Sequence, residues 1–374
     1  MNQSLPTQPL PLAGIRVIEL GSNVSGPYGT WILAALGADV VKVERPDGGD
    51  DARHWGPPFW SEAATVFQAI NRDKSSITVD FKDPEALAAL RRRINADADV
   101  VLQNLRPGVA DKLGLGAEAM CRDNPALIYC NLWAFGAKGP LAQRPGFDAL
   151  MQAFGGIMAV TGEEGQAPVR AGVSIVDMGT GMWCAIGILA ALNRRNLSGK
   201  GGVIDTSLYE TALGWSAYYT ADVQVTGVPP KRHGSGVRGI APYQAYDCAD
   251  GYLIVAASND RLFANLAREL QHDEWLDDPR FADNPARSNN REALNAMLMP
   301  IFKTEPRAHW QQRLDHVGVP NAPIQHAGEV VAHPQTKALG IMQDTGQGIA
   351  LTGLPISFDG ERPPLRNIAP DLET

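Results

Sequence analysis

Asp177 stands where a carboxylate could act as nucleophile or base. It follows residues 172–176 (GVSIV) and precedes an apolar stretch, 178–195, that is expected to be helical. Gly179 and Gly181 fall in the first turn of that stretch, where glycine weakens a helix. Their missing side chains allow a substrate or another backbone to come close. The free N–H groups and the dipole at a helix N-terminus also favour an ionised carboxylate. Asp is equally a preferred helix cap. From these residues alone both roles, nucleophile and cap, stand.

A second set is basic. Arg45 follows the strand-like run 39–44, and Lys82, Arg106 and Lys112 lie at or just beyond later strand ends. Any one of them reads as a solvated surface charge. Gathered at one end of a parallel sheet, they would suit a phosphorylated ligand. The first turn, 21–26 (GSNVSG), lacks the second glycine of a dinucleotide fingerprint and is followed by Pro27, which argues against a nicotinamide cofactor. The seven histidines form no H-x-x-x-H or H-E-x-x-H, and Cys121, Cys130, Cys184 and Cys248 form no C-x-x-C, so no metal site is expected. The aromatic segment 54–60 (HWGPPFW) offers a wall for a ligand pocket or, equally, a packing surface.

The elements that must hold these residues alternate. Apolar runs at 15–20, 39–44, 77–81, 100–105, 127–132 and 203–207 read as strands. Helices are expected at 31–36, from Asp83-Pro84-Glu85 onward, at 178–195 and at 209–225. That alternation implies an α/β fold, a large Rossmann-like domain with a mostly parallel sheet covered on both faces, binding ligands at the carboxyl ends of its strands. After a stretch rich in Gly, Pro and basic residues, 227–239, a hairpin (242–247 and 252–257) and helices at 261–270, 290–302 and 307–317 suggest a smaller α+β domain. The organisation expected is a large domain over 1–226, a smaller one over 227–325 and a return of 326–374 to the large domain.

A chain of 374 residues exceeds the size of one growing core, which agrees with two domains. With 44% apolar and 20% charged residues it reads as an ordinary globular protein. A net charge of −8 argues against nucleic acid as partner while leaving room for a local anion site. The longest apolar run, 182–192, is short for a bilayer, and the first eleven residues lack the pattern of a signal peptide. The scattered cysteines suit free thiols. A cytoplasmic protein without a membrane partner is expected.

The chain resembles the class III CoA-transferase family, the relatives of formyl-CoA and carnitine CoA-transferases. The likeness runs through 11–20 (PLAGIRVIEL), Gly26-Pro27, 36–45 (LGADVVKVER), 71–75 (NRDKS), 103–108 (QNLRPG), 144–148 (RPGFD), 172–177 (GVSIVD) and 198–201 (SGKG). Residues 240–244 (IAPYQ) and 259–261 (NDR) extend it into the second domain. The resemblance implies CoA transfer between carboxylic acids, with the family's catalytic Asp at Asp177 passing through an aspartyl anhydride and an aspartyl-CoA thioester. It places the CoA contacts on Val24, Ser25, Arg45, Val79, Lys82, Asn104, Leu105 and Lys112. It implies no permanently bound cofactor, acyl-CoA and a small carboxylic acid as substrates, and an interlocked homodimer. Residues 233–239 would then be a mobile lid or a plain linker.

Two departures narrow the reading. Val24 and Trp133 stand where formyl-CoA transferase carries Gln and Lys, which argues against formyl-CoA:oxalate transfer. The rival within the resemblance is an α-methylacyl-CoA racemase, which sets a His before the Asp in the segment matching 145–148. Phe147 occupies that place and cannot carry a proton, which favours transfer. A CoA-binding protein with a dead site stays open as well, because Asp177 would serve as a cap.

Overall fold

The computed structural model, which describes residues 9–372, has a six-stranded sheet. Its strands are β1 (Arg16–Leu20), β2 (Asp39–Glu44), β3 (Lys74–Thr78), β4 (Val100–Gln103), β5 (Ile128–Trp133) and β6 (Gly202–Ser207), in the order β3-β2-β1-β4-β5-β6. Every pairing is parallel. Side chains alternate between the faces of a strand, so Val17, Val40, Val100 and Ile128 enter one core while Ile18, Val41, Val101 and Tyr129 enter another. Burial on both faces is why these strands read as unbroken apolar runs.

Helix α1 (Ser25–Ala35) covers the first face and α2 (Pro84–Asp97) the second. The Asp83 side chain accepts a hydrogen bond from the Glu85 amide and Pro84 takes the first turn, as expected for that start. The first face also holds α3 (Asp148–Phe154) and α4 (Ile175–Ser198); beyond β6 come α5 (Leu208–Trp215) and α6 (Ala217–Thr226). α4 is long and apolar enough to cross a bilayer by length and composition, yet half of it is buried inside the fold. Val176, Cys184, Ile188 and Leu192 enter the core, and Met182, Trp183, Ile186 and Leu189 remain exposed.

Three elements depart from the sequence expectations. β3 begins at Lys74, not at residue 77, because the polar Lys74 and Ser76 are buried on it and bind the acids Glu19 and Glu44; an apolar-run criterion cannot see such a strand. α1 starts at Ser25, six residues ahead of the expected 31, although it carries Gly26, Pro27 and Gly29. Pro27 sits in the first turn, where its missing N–H is not needed. The helix expected over 209–225 is broken at Ser216, whose hydroxyl donates to the Gly155 carbonyl at 3.2 Å.

Two compact units divide the chain. The first takes the chain up to Ile157, Arg170–Val228 and everything from Pro334 on. Its C-terminal segment is tied down at Asp73, whose Oδ1 accepts from the Arg366 and Asn367 amides at 2.7 and 2.9 Å. The second takes Met158–Val169 and Pro229–His333. It has an antiparallel sheet of β7 (Tyr243–Cys248), β8 (Gly251–Ala256) and β9 (Asn321–Pro323), with helices α7 (Asp260–Glu269), α8 (Arg291–Phe302) and α9 (Arg307–His316). Tyr246, Leu253, Phe263, Leu298, Phe302 and Trp310 belong to its separate core.

Candidate active site

Strand order reverses at β1: β2 and β3 lie to one side, β4 to β6 to the other. Ligands of open α/β sheets bind outside the carboxyl ends at such a switch point. The segments leaving β1 and β4 are joined there by a reciprocal pair. The Ser22 amide donates to Asn104 Oδ1 at 3.0 Å, and Asn104 Nδ2 donates to the Ser22 carbonyl at 2.8 Å. A cleft of about 260 Å3 opens beside this pair, and Ser25, Asn104, Leu105 and Asp177 all line it.

Asp177 does not precede its helix. It is the third residue of α4, inside the first turn. The N-cap position belongs to Ser174, whose side chain makes no capping bond. The capping acceptor comes from α3 instead: Asp148 Oδ1 accepts from the Val176 and Asp177 amides at 2.8 and 3.1 Å. The other oxygen of Asp148 accepts from Gln152 Nε2 at 2.5 Å, and Gln152 Oε1 accepts from the Ala171 amide at 2.8 Å. This corrects the capping role weighed for Asp177: a carboxylate close in space but distant in sequence fills it, and the Asp177 side chain is left to the cleft.

The Asp177 carboxyl is pushed up to about 7, first by burial and then by the Asp148 charge; the neighbouring Ser25 hydroxyl opposes the rise by hydrogen bonding. The residue stays partly accessible through the cleft. The helix N-terminus does not dominate, since Asp148 already occupies its amides. A carboxylate so placed is more basic than usual and ionises near neutral pH.

The two glycines have structural partners. A Cβ on Gly181 would lie 2.6 Å from the Ser25 carbonyl oxygen, and one on Gly29 2.8 Å from that of Gly181. α1 and α4 therefore touch backbone to backbone, one turn beyond Asp177. A Cβ on Gly179 would meet the Trp215 ring at 2.7 Å. Of the two uses foreseen for these glycines, close approach of backbone is the one observed at Gly181.

The remaining sequence candidates divide into two groups. Ser25, Asn104 and Leu105 line the cleft, and Val24 is buried beside them as the residue before α1. Arg45, Lys82 and Lys112 are exposed beyond β2, β3 and β4, at the same end of the sheet but outside the cleft lining. Arg45 pairs with Asp51, also exposed. Val79 is packed in the core, its amide donating to the Glu44 carbonyl at 2.8 Å. Trp55, from the aromatic segment 54–60, does reach the cleft, as do Trp133 and Phe147. Arg106 and Arg144 line it too, and neither has a carboxylate partner among the described residues. Residues 233–239 belong to the second unit, where the Gly234 amide donates to the Gly162 carbonyl at 3.0 Å. No cluster of three or more metal-ligating side chains occurs among the described residues.

Sequence reasoning missed Asp148 as the capping acid. Its signal was available: it is the one carboxylate in the RPGFD segment, at the start of a helix. Comparison with known proteins gives the family. The model of CoA-transferase family III matches residues 12–374. A succinyl-CoA:glutarate CoA-transferase of Homo sapiens is 36% identical over 89% of this chain and 76% of its own length. An acetyl-CoA:oxalate CoA-transferase of Acetobacter aceti is 36% identical over 100% of this chain and 96% of its own. The crystal structure of a CAIB/BAIF family protein from Brucella suis superposes with a TM-score of 0.89 at 41% identity, covering 98% of this chain and 97% of that one.

Proposed function

This chain belongs to CoA-transferase family III, and on that premise we propose that it moves CoA between short dicarboxylic acids with Asp177 as the covalent carrier. The observation that carries the reading is the position of Asp177: in the switch-point cleft, relieved of capping by Asp148.

An Asp177 oxygen attacks the thioester carbonyl of the donor, expelling CoA thiolate and leaving a mixed anhydride. The thiolate attacks the aspartyl carbonyl and releases the first acid, giving an aspartyl-CoA thioester. The second acid attacks that thioester, the thiolate leaves again, and its return to the new acyl carbonyl frees Asp177. Each intermediate keeps the activation of the starting thioester, so neither a metal nor a redox group is required. Water would hydrolyse the anhydride, and Trp55, Trp133 and Phe147 give the cleft apolar walls. CoA phosphates are expected at Arg45, Lys82 and Lys112, where the parallel strands end, with Val24, Ser25, Val79, Asn104 and Leu105 nearer the thioester.

Dicarboxylates are favoured because Arg106 and Arg144 bring unpaired cations to the cleft, and a guanidinium binds a distal carboxylate in a fork. The names of the relatives, which include succinyl, glutarate and oxalate, point the same way. We also propose that the chain works as a homodimer, whose second copy covers the exposed Met182, Trp183, Ile186 and Leu189 of α4, and that its four free cysteines serve in a reducing compartment such as the cytoplasm.

The test is trapping. Incubation with succinyl-CoA followed by hydroxylamine should convert Asp177 to a hydroxamate, read by peptide mass spectrometry. An enzyme that turns over CoA exchange while Asp177 stays unlabelled would refute the covalent route.

A further inference from the structure

The sheet face under α1 contains a buried cluster of charges that the reaction does not use. Glu19 on β1, Lys42 on β2 and Lys74 on β3 are all buried, as is Asp50 in the loop after β2. Lys42 Nζ lies 2.9 Å from Glu19 Oε1 and 2.8 Å from Asp50 Oδ2, and Lys74 Nζ lies 2.8 Å from Glu19 Oε2. Burying so many charges is costly, and apolar side chains of equal volume would generally serve stability as well. Their outer hydrogen bonds show what the arrangement holds.

Each residue of the turn that leaves β1 is gripped by a side chain from elsewhere. Lys42 Nζ donates to the Gly21 carbonyl at 2.8 Å. Asn104 takes both the amide and the carbonyl of Ser22. Asp50 Oδ1 accepts from the Asn23 amide at 3.0 Å. Asn23 needs such a grip, since its φ of +67° is a left-handed conformation that an L residue adopts at a cost. The same cluster holds the start of α1. Lys74 Nζ donates to the Pro27 carbonyl at 2.8 Å, and the Thr30 hydroxyl donates to Glu19 Oε2 at 2.6 Å. At the first position of that helix, just after the gripped turn, stands Ser25, which lines the cleft with Asp177 and opposes the rise of its carboxyl.

We propose that Lys42 and Asp50 are positioning residues: through the turn 21–23 they set the Ser25 hydroxyl against the Asp177 carboxylate. The proposal rests on Asp177 as the nucleophile. Its consequence is a coupling between a buried ion pair and the ionisation of the catalytic acid. Burial and the Asp148 charge raise that acid while Ser25 restrains it, and Arg106 and Arg144, from the loops after β4 and β5, line the same cleft.

The experiment is the pH profile of kcat for CoA exchange in four proteins: parent, Asp50→Asn, Lys42→Met and Ser25→Ala. Asparagine at 50 turns either its oxygen or its NH2 to Lys42, so one of the two links is lost. If the turn sets Ser25, the acid limb of Asp50→Asn moves to higher pH by about one unit, the value of a hydrogen bond to a charged group. Ser25→Ala gives the same shift, and the Ser25→Ala/Asp50→Asn double variant shifts no further, as for groups acting through one contact. A direct charge effect has the opposite sign, since removing the Asp50 carboxylate lowers the pKa of a nearby acid. An acid limb in folded Asp50→Asn that stays in place or moves down therefore overturns the proposal. If Lys42→Met does not fold, Asp50→Asn decides alone. A parent enzyme without an acid limb, or an active Asp177→Asn enzyme, would remove the nucleophile reading itself; an unmoved limb in the variants removes only the positioning.

Discussion

Asp148 Oδ1 accepts hydrogen bonds from the amides of Val176 and Asp177, so one aspartate caps the helix from which the other enters the cleft. The arrangement lets α4 start with its amides satisfied while the Asp177 carboxyl forms no part of the cap. It also sets a negative charge beside the Asp177 carboxyl, whose pKa is lifted to about 7 by burial and then by that charge.

Asp177→Asn should fold and lose CoA exchange by roughly three orders of magnitude or more, because it removes the attacking oxygen anion and little volume. Stability should separate the two proteins by pH. A carboxyl raised on folding contributes stability below its ordinary value near 4, and that contribution is lost as pH rises to about 7. The Asn variant, neutral throughout, should match the parent near pH 4 and melt a few degrees higher at pH 8. Paired thermal melts at the two pH values check this, and a lower melting temperature for Asp177→Asn at pH 8 would contradict it.

Replacing the cap should distinguish its two effects. Asp148→Asn keeps an oxygen for the Val176 and Asp177 amides but removes the charge, so the acid limb of the rate profile should move to lower pH. Asp148→Ala removes the acceptor as well and should cost about 1–2 kcal/mol of stability. Denaturant titration and the pH profile of kcat report the two separately.

Arg45→Ala, Lys82→Ala and Lys112→Ala should each weaken CoA binding, and added salt should weaken binding in the parent more than in any variant. Calorimetric titration of CoA at low and high salt measures this. Parent-like affinity in all three would move the phosphate site elsewhere, with Arg106 as the first place to look.

Phe147 bears on the racemase alternative. It lines the cleft with Asp177 and offers no acid or base, so a chiral 2-methylacyl-CoA in deuterated water should acquire no α-deuterium. Mass spectrometry of the recovered thioester decides it. Rapid α-exchange without transfer to an added acid would place the activity in the racemase branch.

By itself the sequence determined the parallel sheet and singled out Asp177 as a candidate, because both signals are written locally. Strands buried on two faces, such as 39–44, must be apolar along their length, and a family motif ending in Asp177 lies within a few residues of it. Lys82 and Lys112 were legible as cations beyond strand ends for the same reason. Only the tertiary structure decided what Asp177 is free to do. Its cap is Asp148, on another helix, and its neighbour Ser25 is set by a turn gripped from β2, the segment leaving β4 and the loop holding Asp50. Strand β3 was misplaced for a related cause. Lys74 and Ser76 are buried there because Glu19 and Glu44, on other strands, neutralise the one and accept a hydrogen bond from the other. A charge reads as surface in one dimension; whether it is buried depends on a partner that folding brings to it.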